Sequence, residues 1–199
     1  AKKAGCYFFA YGLESASPTV LKSMRKKIQV QQVIDVMDMA RQARIGFGAN
    51  LIFGDPAETP ETIAESLSFW LTHCQDMCVF ISNLMPYPGS KVFNDARGMF
   101  PDKTQYYETL GKYAPNLTRM PDKTLKDFLI LLSFLENSWL FVKSTTNSRY
   151  ETDNFGMLKV WATCPHCGKE SLYITEKVPW LGTCCTHCNR KMKMIVEGK

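Results

Sequence analysis

The residues best placed to do chemistry lie near the end of the chain, in Cys164-Pro165-His166-Cys167 and Cys185-Thr186-His187-Cys188. These two CxxC pairs are separated by 17 residues (168–184), a spacing that lets four thiolates converge tetrahedrally on one ion, so Cys164, Cys167, Cys185 and Cys188 are predicted to hold zinc. Cys184 competes with Cys185, but choosing it would leave three residues before Cys188 instead of two. His166 and His187 lie inside the knuckles, where hydrogen bonding around the ligands suits them better than ligation. The competing reading, unconnected thiols or two disulfides, loses force because the chain opens without a secretory signal. Cys6, Cys74 and Cys78 sit in apolar surroundings and read as buried thiols.

The elements that must position these ligands are short strands at 158–162, 171–175 and 193–196, with Gly168 making the tight turn after the first pair, a small β zinc ribbon. Residues 159–199 carry 7 basic and 3 acidic side chains, whereas residues 1–158 carry 17 and 16. A zinc tetrathiolate contributes −2, which lowers the ribbon's formal +4 to +2. Arg190, Lys191 and Lys193 beside Trp161, Tyr173 and Trp180 leave RNA or a protein as a partner of the ribbon. A purely structural ribbon is the favoured reading.

Upstream, the chain alternates strands and helices. Residues 7–11 form an aromatic run closed by Gly12. Val30, Val33, Ile34, Met37, Ala40 and Ala43 recur at helical spacing, with Gly46 expected past the helix end. A second apolar strand covers 47–53 and a third 78–84. Between them Thr59-Pro60-Glu61 opens a helix to about residue 73, with Ile63, Leu67, Trp70 and Leu71 on its buried face. Short helices are expected at 90–97 and 104–112, and a long one at 123–143. This order implies an α/β fold with a parallel sheet. We expect domains at 1–143 and 157–199 joined by a polar linker, 144–156.

With 45% hydrophobic and 22% charged residues, the composition excludes disorder, collagen and simple coiled coil. Lys126, Asp127, Glu136 and Asn137 interrupt the most apolar stretch, so no membrane span is expected, and the chain reads as cytoplasmic. A three-stranded parallel sheet beginning at Tyr7 leaves a hydrophobic edge unpaired. The missing strands would come from another part of a longer polypeptide, or the edge would drive self-association.

Ligand sites of parallel α/β sheets lie at the carboxyl ends of the strands. Here those ends carry Gly12-Leu13-Glu14-Ser15, Gly54-Asp55-Pro56-Ala57-Glu58-Thr59 and Leu84-Met85-Pro86-Tyr87-Pro88-Gly89. In order, the segments YGLESASPTVLKSMRKK (11–27), NLIFGDPAETPETI (50–63) and NLMPYPGSKVF (83–93), with a weaker NLTRMPDKTLKDF (116–128), resemble the second half of the radical S-adenosylmethionine (SAM) barrel. The resemblance is closest to the branch with cobalamin-binding domains. It implies the C-terminal half of a partial TIM-type barrel, three βα units, with the SAM ribose at Glu14 and Ser15 and the SAM carboxylate near Arg25. Adenine would then pack on Ile52 and meet the backbone around Leu84 and Met85. The resemblance also implies a transferase or related enzyme that cleaves SAM reductively at a four-iron cluster, held in the family by CxxxCxxC, and then abstracts a hydrogen or transfers a methyl group. This sequence has no such triplet: Cys74 and Cys78 have the first spacing, but Ile81 follows. The expectation is therefore part of an enzyme, inactive alone, and the alternative is a non-catalytic binding module.

Overall fold

The computed structural model describes residues 1–99, 115–138, 142–145, 147–175 and 183–194. Three parallel strands, β1 (Phe8–Glu14), β2 (Gly46–Phe53) and β3 (Cys78–Asn83), form a sheet in the order β1-β2-β3. Helices α1 (Pro18–Ser23) and α2 (Val30–Gln42) connect the first two strands, and α3 (Pro60–His73) connects the second and third. A short α4 (Lys91–Asp95) and a long α5 (Asp122–Ser138) follow. The helix expected at 104–112 lies outside the described residues. The fold is thus mixed α/β, and the described residues form no closed barrel.

Alternation along β2 explains the layering. Phe47, Ala49, Leu51 and Phe53 are buried in one core with Met37 and Ala40 of α2, Ile63 and Phe69 of α3, and Leu125 and Leu132 of α5. Gly46 and Gly48 belong to the opposite face, where the ring of Phe8 lies so close that a Cβ on either glycine would come within 2.7 Å of it. Glycine is required there by the close approach, not by backbone angle.

Two helix details differ from the sequence expectation. Arg44, at φ 53°, takes the left-handed position that ends α2, and the Ile45 N–H closes onto the Ala40 carbonyl at 2.9 Å, so Gly46 is free to open β2. On α3 the buried residues are Thr62, Ile63, Ser66 and Phe69, while Leu67 and Trp70 are only partly covered. The helix turns Ser66 inward because its hydroxyl meets Ser15 Oγ and accepts from the Ala16 N–H, both at 3.1 Å. The N-terminus of α3 is as expected, with Thr59 and Thr62 exchanging side-chain and backbone hydrogen bonds.

The second sheet is antiparallel, with β4 (Ser148–Thr152), β5 (Leu158–Thr163) and β6 (Glu170–Thr175) in the order β4-β5-β6. A separate two-stranded sheet is formed by β7 (Thr183–Cys184) with β8 (Lys191–Met192). The linker expected at 144–156 is corrected here. Residues 148–152 pair with β5, Asp153 accepts from the Phe155 and Met157 N–H groups to make the hairpin turn, and Ser144 bridges to Lys193. The polar composition reflects a strand at the sheet edge, held by its ladder rather than by burial. Among the described residues the last strand is Lys191–Met192, ahead of the strand expected at 193–196, of which residues 195 and 196 lie outside the described residues. No helix among the described residues is long and apolar enough to cross a membrane.

Candidate functional site

Each CxxC pair folds into a knuckle by the same local bonds. Gly168 N–H donates to Cys164 O at 2.9 Å and Asn189 N–H to Cys185 O at 2.8 Å, while Cys164 and Cys185 donate to Lys169 O and Arg190 O at 3.0 Å. Both turns need a left-handed residue four positions after the first cysteine, supplied by Gly168 (φ 71°) and by Asn189 (φ 59°). Asn189 was identifiable from this offset alone. Its side chain also donates to Arg44 O at 3.1 Å, which only the tertiary structure shows.

The four sulfurs of Cys164, Cys167, Cys185 and Cys188 all lie within 4.8 Å of one another. Cys164 and Cys188, and Cys167 and Cys185, are 3.7 Å apart. A tetrahedral thiolate site with metal–sulfur bonds of about 2.3 Å has S–S edges of about 3.8 Å, a length those two pairs already have, so the group could hold a metal ion with the wider pairs drawn in. The His166 and His187 N–H groups point at Cys164 Sγ (3.4 Å) and Cys185 Sγ (3.3 Å), which favours charge on those sulfurs. Their rings turn away, to Lys191 O and Glu170 O, and ligate nothing. Burial raises the Cys164 and Cys188 thiols, so ion capture must displace their protons and weakens as pH falls.

Cys184 is excluded from this group. Cys185, the first residue of the knuckle, turns into the cluster, whereas Cys184, the last residue of β7, faces Cys78 at the start of β3. Of the three scattered cysteines, Cys74 is a buried thiol whose pKa burial pushes up to about 12, whereas Cys6 and Cys78 are only half-buried.

The second knuckle seats the ribbon against the amino ends of β2 and β3. Asp76, 6% exposed, is the hub. Its carboxylate accepts from Arg41 Nη2 at 2.9 Å and Nε at 3.2 Å and pairs with Arg190, and its backbone carbonyl accepts from the Lys191 N–H at 2.7 Å. Burial opposes the charge, but the two guanidinium groups outweigh it and hold the Asp76 carboxyl below its ordinary value. Arg190 is therefore turned inward, and the basic cluster read from the sequence loses one of its three cations. Trp180 lies outside the described residues.

At the other end of the sheet the strands bring Glu14, Ile52 and Leu84 together. Glu14 is registered with Leu51, Ile52 with Ser82, and Leu84 N–H donates to Phe53 O at 2.7 Å, with Met85 following. Glu14, at φ 66° beyond a bulge in β1, has one carboxylate oxygen on Lys26 Nζ at 3.0 Å. Its other oxygen, Oε2, is buried without a hydrogen-bond partner among the described residues. Lys26, and not Arg25, thus meets Glu14; Arg25 is exposed, on a cavity of about 640 Å³ lined also by Lys22, Lys26 and Lys27. Ser15 is buried, its hydroxyl committed to Ser66 and to the Ser17 N–H, so it fixes the turn.

Glu58 is a further residue that residue-by-residue reading passed over. Only 1% exposed, it accepts from the Gly54 N–H at 3.1 Å and the Thr62 hydroxyl at 2.9 Å, tying the end of β2 to the start of α3. Burial pushes its carboxyl up to about 7. Its position before Thr-Pro marks a helix entry, but nothing local signals burial.

Fold and site together define an α/β protein with an open parallel sheet and a four-cysteine metal knuckle pair docked at one end. No protein-family model matches the chain. A protein of Pyrococcus horikoshii named as an uncharacterized methyltransferase is 33% identical over 95 residues, covering 48% of this chain and 20% of that protein. The chain thus spans about a fifth of the length of this relative. Among solved structures, the Elp3 of the archaeon Methanocaldococcus infernus with an N-terminal deletion is similar at a TM-score of 0.45 and 13% identity, over 81% of this chain and 48% of that one.

Proposed function

We propose that this chain is the C-terminal portion of a radical SAM enzyme, supplying the ribose and adenine side of the SAM site, with zinc as the resident ion of its ribbon. The observation that carries the reading is Glu14 Oε2, a buried acceptor with no donor, at the strand end where the sequence resemblance expects a ribose. Lys26 holds the carboxylate in place through Oε1, leaving Oε2 to accept from a ribose hydroxyl, while Ile52 and the backbone at Leu84 and Met85 end the two following strands, where adenine would extend. The methyltransferase name of the Pyrococcus relative agrees with a group-transfer enzyme. Zinc would be held by the four thiolates with no open position, so it supplies rigidity and not a reaction centre.

The four-iron cluster, and cobalamin where it is used, find no matching ligand set in this sequence, and no step through them is assigned to these residues. The missing N-terminal half of the barrel would pair along β1. The test is equilibrium dialysis of SAM against the chain alone and joined to such a half. Glu14→Gln is expected to weaken binding by roughly tenfold or more, the worth of a hydrogen bond to a charged group. Equal affinity of the variant, or SAM cleavage by the isolated, iron-free chain, would refute the reading.

A further inference from the structure

Between the parallel sheet and the ribbon, outside the metal group, two thiols face each other. Cys78 opens β3 and Cys184 lies in β7, 106 residues apart in sequence, with their sulfurs 3.7 Å apart. Their approach is fixed by the backbone. Cys184 pairs with Lys191 across β7 and β8, and the Lys191 N–H donates at 2.7 Å to the carbonyl of Asp76, two residues before Cys78. Asn189 on Arg44 O and Arg190 on Asp76 clamp the same junction. Neither cysteine is fully enclosed.

No third cysteine, histidine or carboxylate among the described residues joins this pair in a ligand group, so it does not form a tetrahedral metal site of its own. Two apposed sulfurs that need to close from 3.7 Å to about 2.05 Å are instead set for a bond to each other. We infer that Cys78 and Cys184 form a reversible disulfide that locks the metal ribbon onto the parallel sheet, with hydrogen peroxide as the two-electron oxidant. Peroxide oxidises one thiol to a sulfenic acid and leaves as water. The second sulfur attacks it, the S–S bond forms, and a second water departs. Two thiols lose two electrons and two protons, and one peroxide is reduced to two waters. A thiol reductant reverses the bond by exchange through a mixed disulfide.

The lock has two consequences. It closes a long loop across the junction, so the ribbon cannot swing from the sheet without unfolding of the strands that carry it. It also takes Cys184 out of competition with Cys185 for the ion, since a sulfur in a disulfide no longer offers a thiolate.

The experiment uses the full chain with its metal bound, treated with a few equivalents of hydrogen peroxide, alkylated, digested and mapped by mass spectrometry without reduction. The expected product joins the Cys78 and Cys184 peptides less two hydrogens, with metal content unchanged and the link lost on adding a thiol reductant. Proteolysis of the oxidised ribbon is expected to slow by roughly an order of magnitude or more. Cys78→Ser is expected to keep its metal and to form no such peptide pair. Full alkylation of Cys78 and Cys184 after peroxide overturns the inference, as does a link that appears only once the ion is lost. Loss of a second equivalent of metal from Cys78→Ser would make the pair a ligand set and overturn it too. The mapping of the unmutated chain decides the matter even if a variant fails to fold.

Discussion

Replacing Asp76 with alanine is expected to loosen the ribbon from the parallel sheet and to destabilise the chain by about 2–3 kcal/mol. Removing one partner of a buried ion pair ordinarily costs about 3–5 kcal/mol, because the other charge is left stranded. Here the figure falls at or just below the lower end of that range. The side chains of Arg41 and Arg190 are 23% and 34% exposed and remain partly hydrated. Arg41 also keeps Asp38 at 2.7 Å and the His73 carbonyl at 2.5 Å. The Lys191 N–H bond to the residue 76 carbonyl survives any substitution, so the junction loosens without losing its register. A double-mutant cycle with Arg190→Gln is expected to give a coupling of about 1 kcal/mol, discounted for the exposure of Arg190. The assay is urea unfolding, paired with hydrogen exchange of β7 and β8. Since the two arginines hold Asp76 below its unfolded value of about 3.8, its contribution is present above that value and is lost as pH falls through the lower folded one. A loss under about 0.5 kcal/mol for Asp76→Ala, or zero coupling to Arg190, would refute the hub.

Glu58 works with the opposite sign. Its carboxyl is raised from 4.5 to about 7, so its contribution is complete below about 4.5 and is lost as pH rises through about 7. A rise of that size corresponds to about 3 kcal/mol, and Glu58→Gln is expected to flatten this part of the stability curve between pH 5 and 8 in urea titrations. An equally steep curve in the variant would exclude Glu58 as the source. Chelation is expected to remove one ion per chain and to melt the ribbon, whose own buried apolar set is little more than Leu158, Val160, Ala162 and Met194, while the parallel sheet persists. Circular dichroism with elemental analysis of metal checks this; a ribbon that keeps its strand signal after the ion is gone would show that its fold does not depend on it.

What the sequence determined by itself was the chemistry carried on short range. The two CxxC offsets, the left-handed residue four positions after each first cysteine, and the proline-opened α3 are set within a few residues, and so is the β–α alternation that makes the sheet parallel. The tertiary structure decided what needed a partner on another segment. Residues 148–152 become a strand because β5 offers its ladder, since polar side chains on an edge carry no hydrophobic period to read. Ser66 turns inward because the β1–α1 turn leaves the Ala16 N–H in need of an acceptor, which rotates the buried face of α3 away from the one its apolar residues suggest. Between Cys184 and Cys185, adjacent in sequence and equal in chemistry, the CxxC offset already chose the ligand; what the tertiary structure added is the partner of the other, the sulfur of Cys78. Spacing along a chain fixes which groups can converge; which face they converge on follows from packing between segments that no local pattern pairs.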